Sequence, residues 1–246
     1  MRYICFLLLA ASCSPIYIPN TTNAPLFREQ GETQIGAYVS SGGLDGQLAY
    51  AITDHIGVIG NYSYWSSKKN TPNTPNSTTP PNTEYTHKHN YAEVGLGYFD
   101  RTRSSRFEIY AGYGVGQGTT YDQYYFFKPY YGLDATVSTG KMTRIFFQPT
   151  IGTNNRDVNL SFTPRLAWVN FSEFTSQAGV VVKPNEKTVM FIEPTAILKM
   201  RLAGNLHGIF QLGVTFPSGD SFFKYQSLQA AIGIQIDTGG MRTKVY

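Results

Sequence analysis

From Gln34 to Ile236, apolar and polar residues alternate with a period of two through about ten runs. Leu44, Leu48, Tyr50 and Ile52 fall on one face of the second run, opposite Asp45 and Gln47. Ile56, Val58, Tyr62 and Tyr64 share a face in the next. Val94, Leu96 and Tyr98 follow, then Phe107, Ile109, Tyr113 and Val115 opposite Glu108, Tyr110, Gly112 and Gly114. Val158, Leu160, Phe162, Leu166 and Trp168 oppose Asn159, Ser161, Thr163 and Arg165; Phe210, Leu212 and Val214, then Ile232, Ile234 and Ile236, complete the series. Each run is about 9–14 residues, the length of a tilted strand that crosses a bilayer.

The connections alternate as well. Ala51 to His55, Asp100 to Arg106, Thr153 to Arg156 and Ala203 to Asn205 are tight turns. Long polar or aromatic connections at 66–88, 120–137, 172–187 and 217–224 separate them. The fold expected is all-β: an antiparallel, up-and-down transmembrane β-barrel of about ten strands, with eight to twelve compatible, short periplasmic turns and long extracellular loops. An even strand number puts both termini on the tight-turn, periplasmic side, with the Cys13 anchor expected in the inner leaflet of the outer membrane. The Ser41-Gly42-Gly43 connection is short although parity assigns it to the long side. Pro149, Pro164 and Pro194 fall inside strands, and a residue without an N–H predicts bulges near each.

Composition agrees. Aromatics make up 15% of the 246 residues and 24 are glycine, while charged residues are only 15%, against roughly 25% in soluble domains. The mean hydropathy is slightly negative, as expected when half of each strand faces a lumen. A soluble β-sandwich lipoprotein binding glycan or protein remains an alternative, since its strands alternate too. The net charge of +4 is scattered and excludes the basic stripe that nucleic-acid binding needs.

The chain opens with Arg2, the apolar run Tyr3 to Leu9, then Ala10-Ala11-Ser12-Cys13, the grammar of a secretory signal. Leu9-Ala10-Ala11-Ser12-Cys13 resembles the lipobox of bacterial lipoproteins, which implies cleavage before Cys13 and acylation of its thiol. Cys5, the other cysteine, falls inside the removed segment. The domain division expected is a signal peptide at 1–12, a lipid-anchored tether at 13–31, the barrel at 32–237 and a periplasmic tail at 238–246. The proline-bearing, aperiodic tether reads as extended.

Tyr17-Ile18-Pro19-Asn20, Ala24-Pro25-Leu26-Phe27, Ala49 to Val58, Phe147-Gln148-Pro149 and Phe191 to Pro194 resemble a family of lipid-anchored outer-membrane β-barrel proteins of Gram-negative bacteria. The resemblance spans nearly the whole chain. It implies fold and location, and no activity.

By alternation, Asp45, Glu93, Glu108, Arg144, Arg165, Glu193, Lys199, Arg201 and His207 point into the lumen. Facing lipid at the midplane, each charge would cost about 2–4 kcal/mol. Four carboxylates against four permanent cations predict a salt-bridged plug; a narrow pore for small solutes or ions is the rival. A second candidate is the loop bearing Tyr121, Tyr124, Tyr125, Phe126, Phe127, Tyr130 and Tyr131, an aromatic surface suited to a partner. His87-Lys88-His89 lacks nearby co-ligands, and no nucleophile elbow, phosphate loop or zinc motif occurs. The expectation is a non-enzymatic protein without cofactor or metal, in contact with outer-membrane lipid, other outer-membrane proteins or surface glycans.

Overall fold

The computed structural model describes residues 15–70, 84–122, 136–155, 157–176, 188–219, 221 and 223–238. Eleven strands follow in chain order: β1 (Thr33–Ser40), β2 (Gly43–Ala51), β3 (Ile56–Asn70), β4 (Glu84–Arg101), β5 (Ser105–Asp122), β6 (Thr136–Thr153), β7 (Val158–Ser176), β8 (Val189–Ala203), β9 (Leu206–Val214), β10 (Phe216–Pro217) and β11 (Leu228–Thr238). Each pairs antiparallel with its neighbour. β8 meets β9, β9 meets β11 and β11 meets β1, so ten strands close into a barrel.

β10 is the continuation of β9. Thr195 pairs with Gly213 and Ile192 with Phe216 in one register, and the ladder lapses only at Pro194 and Glu193, which face Val214 and Thr215. The same residue type interrupts β6–β7. Phe147 pairs with Leu166 and Ile151 with Phe162, but Gln148, Pro149 and Thr150 have no ladder partner on β7. That register sets Pro149 opposite Pro164, and Pro164 pairs with Pro194, so the three prolines form one row across three adjacent strands. The expected bulges are therefore absent at these positions: no residue is inserted, the ladder simply lapses where donors are missing, and a 3.0 Å contact between the Thr150 and Thr163 hydroxyls bridges the gap. The register shifts that do occur lie at Lys141/Met142 and Arg201/Ala203.

The alternation is borne out. Leu44, Leu48, Val94, Leu96, Leu160, Ile232 and Ile234 are exposed on the outer face, while Gln47, Glu93, Tyr110, Arg144, Arg165 and Gln235 are buried inside. The apolar faces thus point outward, and a single closed sheet replaces the two-sheet sandwich alternative. Inward glycines seat inward rings. A Cβ on Gly97 would lie 2.4 Å from Tyr110, and one on Gly112 would lie 2.4 Å from Phe146.

Strands β3 to β8 run 15–19 residues, longer than the expected limit. β3 and β4 stay paired out to Asn70 and Glu84, so both ends of the 66–88 segment belong to the wall. The cross-strand pairs prolong the hairpin beyond the point where its sequence loses apolar residues.

The largest departure concerns the expected tether. Residues 15–31 form no strand, yet they run inside the barrel. Ile16, Tyr17, Ile18, Asn20, Thr21, Thr22, Asn23, Leu26 and Phe27 are buried. Ile16 and Tyr17 donate backbone hydrogen bonds to the Lys224 carbonyl, and a Cβ on Gly42, in the β1–β2 turn, would touch Ile18. Both contacts lie at the long-connection end. Ten residues later, Leu26 sits beside Gly152 and Arg106, and Gly31 donates to the Ala51 carbonyl at the tight-turn end. The chain thus descends the lumen before turning at Gly31 (φ 80°) to climb as β1. A second inward piece, Phe223 to Gln226, packs against Tyr17 at the long-connection end, with Phe223 on Phe171 and Phe191.

Candidate functional site: a threaded and ion-paired lumen

A buried extended segment without a ladder partner has backbone groups to satisfy. The inner wall does this almost residue by residue, mostly with glutamine. Gln229 donates to the Pro19 carbonyl at 2.8 Å. Gln47 donates to the Thr21 carbonyl at 3.0 Å. Gln211 grips Thr22 twice, accepting from its N–H at 3.0 Å and donating to its carbonyl at 2.9 Å. Gln148 donates to the Asn23 carbonyl at 2.7 Å and Gln34 to that of Pro25 at 2.9 Å. Five glutamines from β11, β2, β9, β6 and β1 thereby replace a neighbouring strand. Pro19 and Pro25 reduce the demand further, since they carry no N–H.

At mid-lumen, four of the expected charges meet. Glu93 (β4) ion-pairs with Arg144 (β6), and Arg165 (β7) lies 3.7 Å from it. Arg165 also bonds Glu193 (β8) at 2.7 Å, and Arg144 reaches Glu193 at 4.0 Å. All four are buried, and their charges cancel. The threaded segment supplies the centre of the cluster. Asn20 donates to Glu93 at 2.8 Å and accepts from Arg144 at 2.5 Å, while Arg165 donates to its backbone carbonyl at 3.2 Å. Tyr17 donates its hydroxyl proton to Glu193 at 2.5 Å and accepts from Arg144 at 3.1 Å. Asn61 and Tyr91 complete the shell of Glu93 at 2.6 and 3.0 Å, and the Arg144 guanidinium lies 4.5 Å from the Tyr91 ring centre.

The other expected lumen charges stand apart. Glu108 is buried and accepts the Leu26 N–H at 2.7 Å, holding the segment lower down. Asp45 is buried in register with Ser63, whose hydroxyl lies 3.4 Å from buried His89. Lys199 pairs with Asp237 at 2.6 Å near the tight-turn rim, and His207 lies 3.6 Å from the same carboxylate. Arg201 corrects the expectation: it is exposed and pairs with Asp157 at 3.3 Å, because it sits at the end of β8, where the register shifts into the β8–β9 turn.

Alternation of charged residues missed Tyr17, Asn20, Asn23, Asn61, Arg106 and the five glutamines. The inward parity of Gln47, Gln148, Gln211 and Gln229 was available in the sequence; their partner was not. Arg106, whose guanidinium donates to the Leu26 carbonyl at 2.7 Å, was hidden in an expected turn. Of the aromatic loop, Tyr124, Tyr125, Phe126, Phe127, Tyr130 and Tyr131 lie outside the described residues, as does the side chain of Tyr121 at the end of β5. Cys13 and the 239–246 tail also lie outside them.

At the tight-turn end lies a cavity of about 30 Å³, lined by Thr22, Arg106, Lys199, His207 and Gln235 among others. Among the described residues, no three His, Cys, Asp or Glu side chains are gathered to hold a metal. Among the described residues, the arrangement fixes a peptide segment along the lumen. No protein-family model matches this chain, and no curated protein sequence is similar to it.

Proposed function

We propose that this protein is a non-enzymatic, lipid-anchored outer-membrane β-barrel with a closed lumen, serving a structural, accessory or surface-interaction role through its long connections. The observation that carries the reading is the pairing of an apolar exterior with a lumen filled by the chain's own residues. Tyr50, Tyr98 and Phe107 are exposed near the tight turns and Tyr62, Tyr64 and Trp65 toward the other end, with Leu48, Val94 and Leu96 between them. Aromatic rims around an aliphatic band suit a bilayer, and nine residues of β2 tilted by about 40° rise roughly 20 Å, close to the apolar height of such barrels. A solvated exterior of this composition would be an aggregation surface.

With the lumen occupied, contact with partners falls to the surfaces at the long-connection end. Outer-membrane proteins or surface glycans are the partners this reading expects, the protein acting within a larger assembly. The lipid anchor follows from the resemblance of Leu9 to Cys13 to a lipobox. The pore alternative is disfavoured by the ion-paired cluster and the threaded segment. The test is reconstitution of the full chain in planar bilayers together with heat-modifiable migration in detergent gels. The reading expects a heat-modifiable band and no steady conductance. A reproducible open-channel current would replace it with the pore, and migration unaffected by heating would count against the membrane barrel.

A further inference from the structure

We infer that the anchor end of this chain emerges at the long-connection rim, so that acyl chains on Cys13 enter the membrane leaflet on that side, opposite the tight turns. The inference rests on the membrane-barrel reading above and concerns which face carries the anchor. Strand parity alone places both ends of the barrel on the tight-turn side, and Thr33 and Thr238 do pair there. The threaded segment reverses the outcome for the residues that precede it.

The direction of threading is fixed by independent contacts. At the upper end, Ile16 and Tyr17 donate to Lys224, Gln226 donates to the Tyr17 carbonyl at 3.0 Å, and Ile18 meets Gly42. A Cβ on Gly118, close to the distal end of β5, would lie 3.0 Å from the Ile16 carbonyl oxygen. At the lower end, Leu26 is held by Glu108 and Arg106, and Gln30 donates to Asp54 and to the Ile52 carbonyl. Asn20 lies between them, inside the ionic cluster.

Cys13 is two residues before Pro15, and two residues span at most about 7 Å. The apolar height of a membrane barrel is about 25 Å. A thiol tethered that closely to Ile16 reaches the long-connection rim and cannot reach the leaflet at the tight turns while residues 16–26 stay threaded. If the long connections face outward, as in barrels of this type, the anchor is displayed on the cell surface.

The experiment places one short epitope in three versions of the full chain: between Ser14 and Pro15, between Gly204 and Asn205, and in the 71–83 connection. Antibody binding to intact and to permeabilised cells is compared, with labelled fatty acid reporting acylation. The expected result is that the 14/15 and 71–83 epitopes behave alike and the Gly204 epitope behaves oppositely, with label retained. An N-terminal epitope that tracks Gly204 overturns the inference. If the Gly204 and 71–83 epitopes respond alike, the membrane-spanning reading itself falls and takes this one with it. Absence of label removes the anchor while the epitopes still report the side. Should an insertion block folding, Ile18→Cys with Gly42→Cys tests the threading directly: the pair is expected to form a disulfide in the full chain, and failure to crosslink in folded protein overturns the threading.

Discussion

Replacing Arg144 with methionine probes the lumen where it is most tightly constrained. Methionine matches much of the arginine stem and removes only the charge and its donors. The change leaves Glu93 buried without its ion-pair partner, takes hydrogen bonds from Asn20 and Tyr17, and removes the cation over Tyr91. Breaking one side of a buried pair costs about 3–5 kcal/mol. Glu93 still has Arg165 at 3.7 Å and donors from Asn20, Asn61 and Tyr91, which argues for the lower edge, about 3 kcal/mol. The double variant Glu93→Gln/Arg144→Met leaves no unpaired charge from this pair, and it is expected to recover part of that loss. The comparison pair is Lys141–Glu173, about three-fifths exposed at 3.0 Å, where Lys141→Met is expected to change stability by about 0–1 kcal/mol. Urea unfolding of the refolded chain in micelles, followed by heat-modifiable migration, measures all three. A loss below about 1 kcal/mol for Arg144→Met, or a double variant no better than the single, would refute the view that this cluster is a dry, mutually compensating unit.

Other perturbations separate the parts of the lumen. Tyr17→Phe removes a donor to Glu193 and an acceptor for Arg144, and is expected to cost about 1–3 kcal/mol in the same unfolding assay. Gln211→Ala strands both the N–H and the carbonyl of Thr22; a loss of about 1–3 kcal/mol is expected, and increased proteolysis within residues 15–31 would accompany it. Gly112→Val drives a side chain into the Val94 carbonyl and the Phe146 ring, and should cost about 1–3 kcal/mol or prevent refolding, read by loss of the heat-modifiable band. Arg201→Ala should change stability by less than about 1 kcal/mol, since its pair with Asp157 is on the exposed rim; a larger loss would return it to the lumen set.

Period-two alternation and the spacing of turns were enough to derive a closed antiparallel barrel of about ten strands, its outward apolar face and most of its inward charges. These are local properties: a strand's two faces are set by the pleat, and a tight turn by a handful of residues. The alternation marked Glu93, Arg144, Arg165 and Glu193 as inward residues. It did not bring them together, because which inward residues meet depends on register across β4 to β8. The proline positions were legible, but their consequence was not: lined up across three strands, they leave gaps in the ladder, where isolated prolines would favour bulges. The glutamines were visible on the inner face, with nothing local to say that they had a backbone to satisfy. Residues 15–31 have no periodicity, because an extended segment surrounded on all sides has no single face to bury. An aperiodic, proline-bearing stretch looks the same whether it lies in solvent or inside a lumen. Only closure of the barrel around it decides, since closure alone creates the ring of amide and guanidinium donors that makes burying its carbonyls favourable. The sequence by itself therefore determined the wall of this protein, and the tertiary structure determined what fills it and, through the direction of threading, the end at which the chain enters.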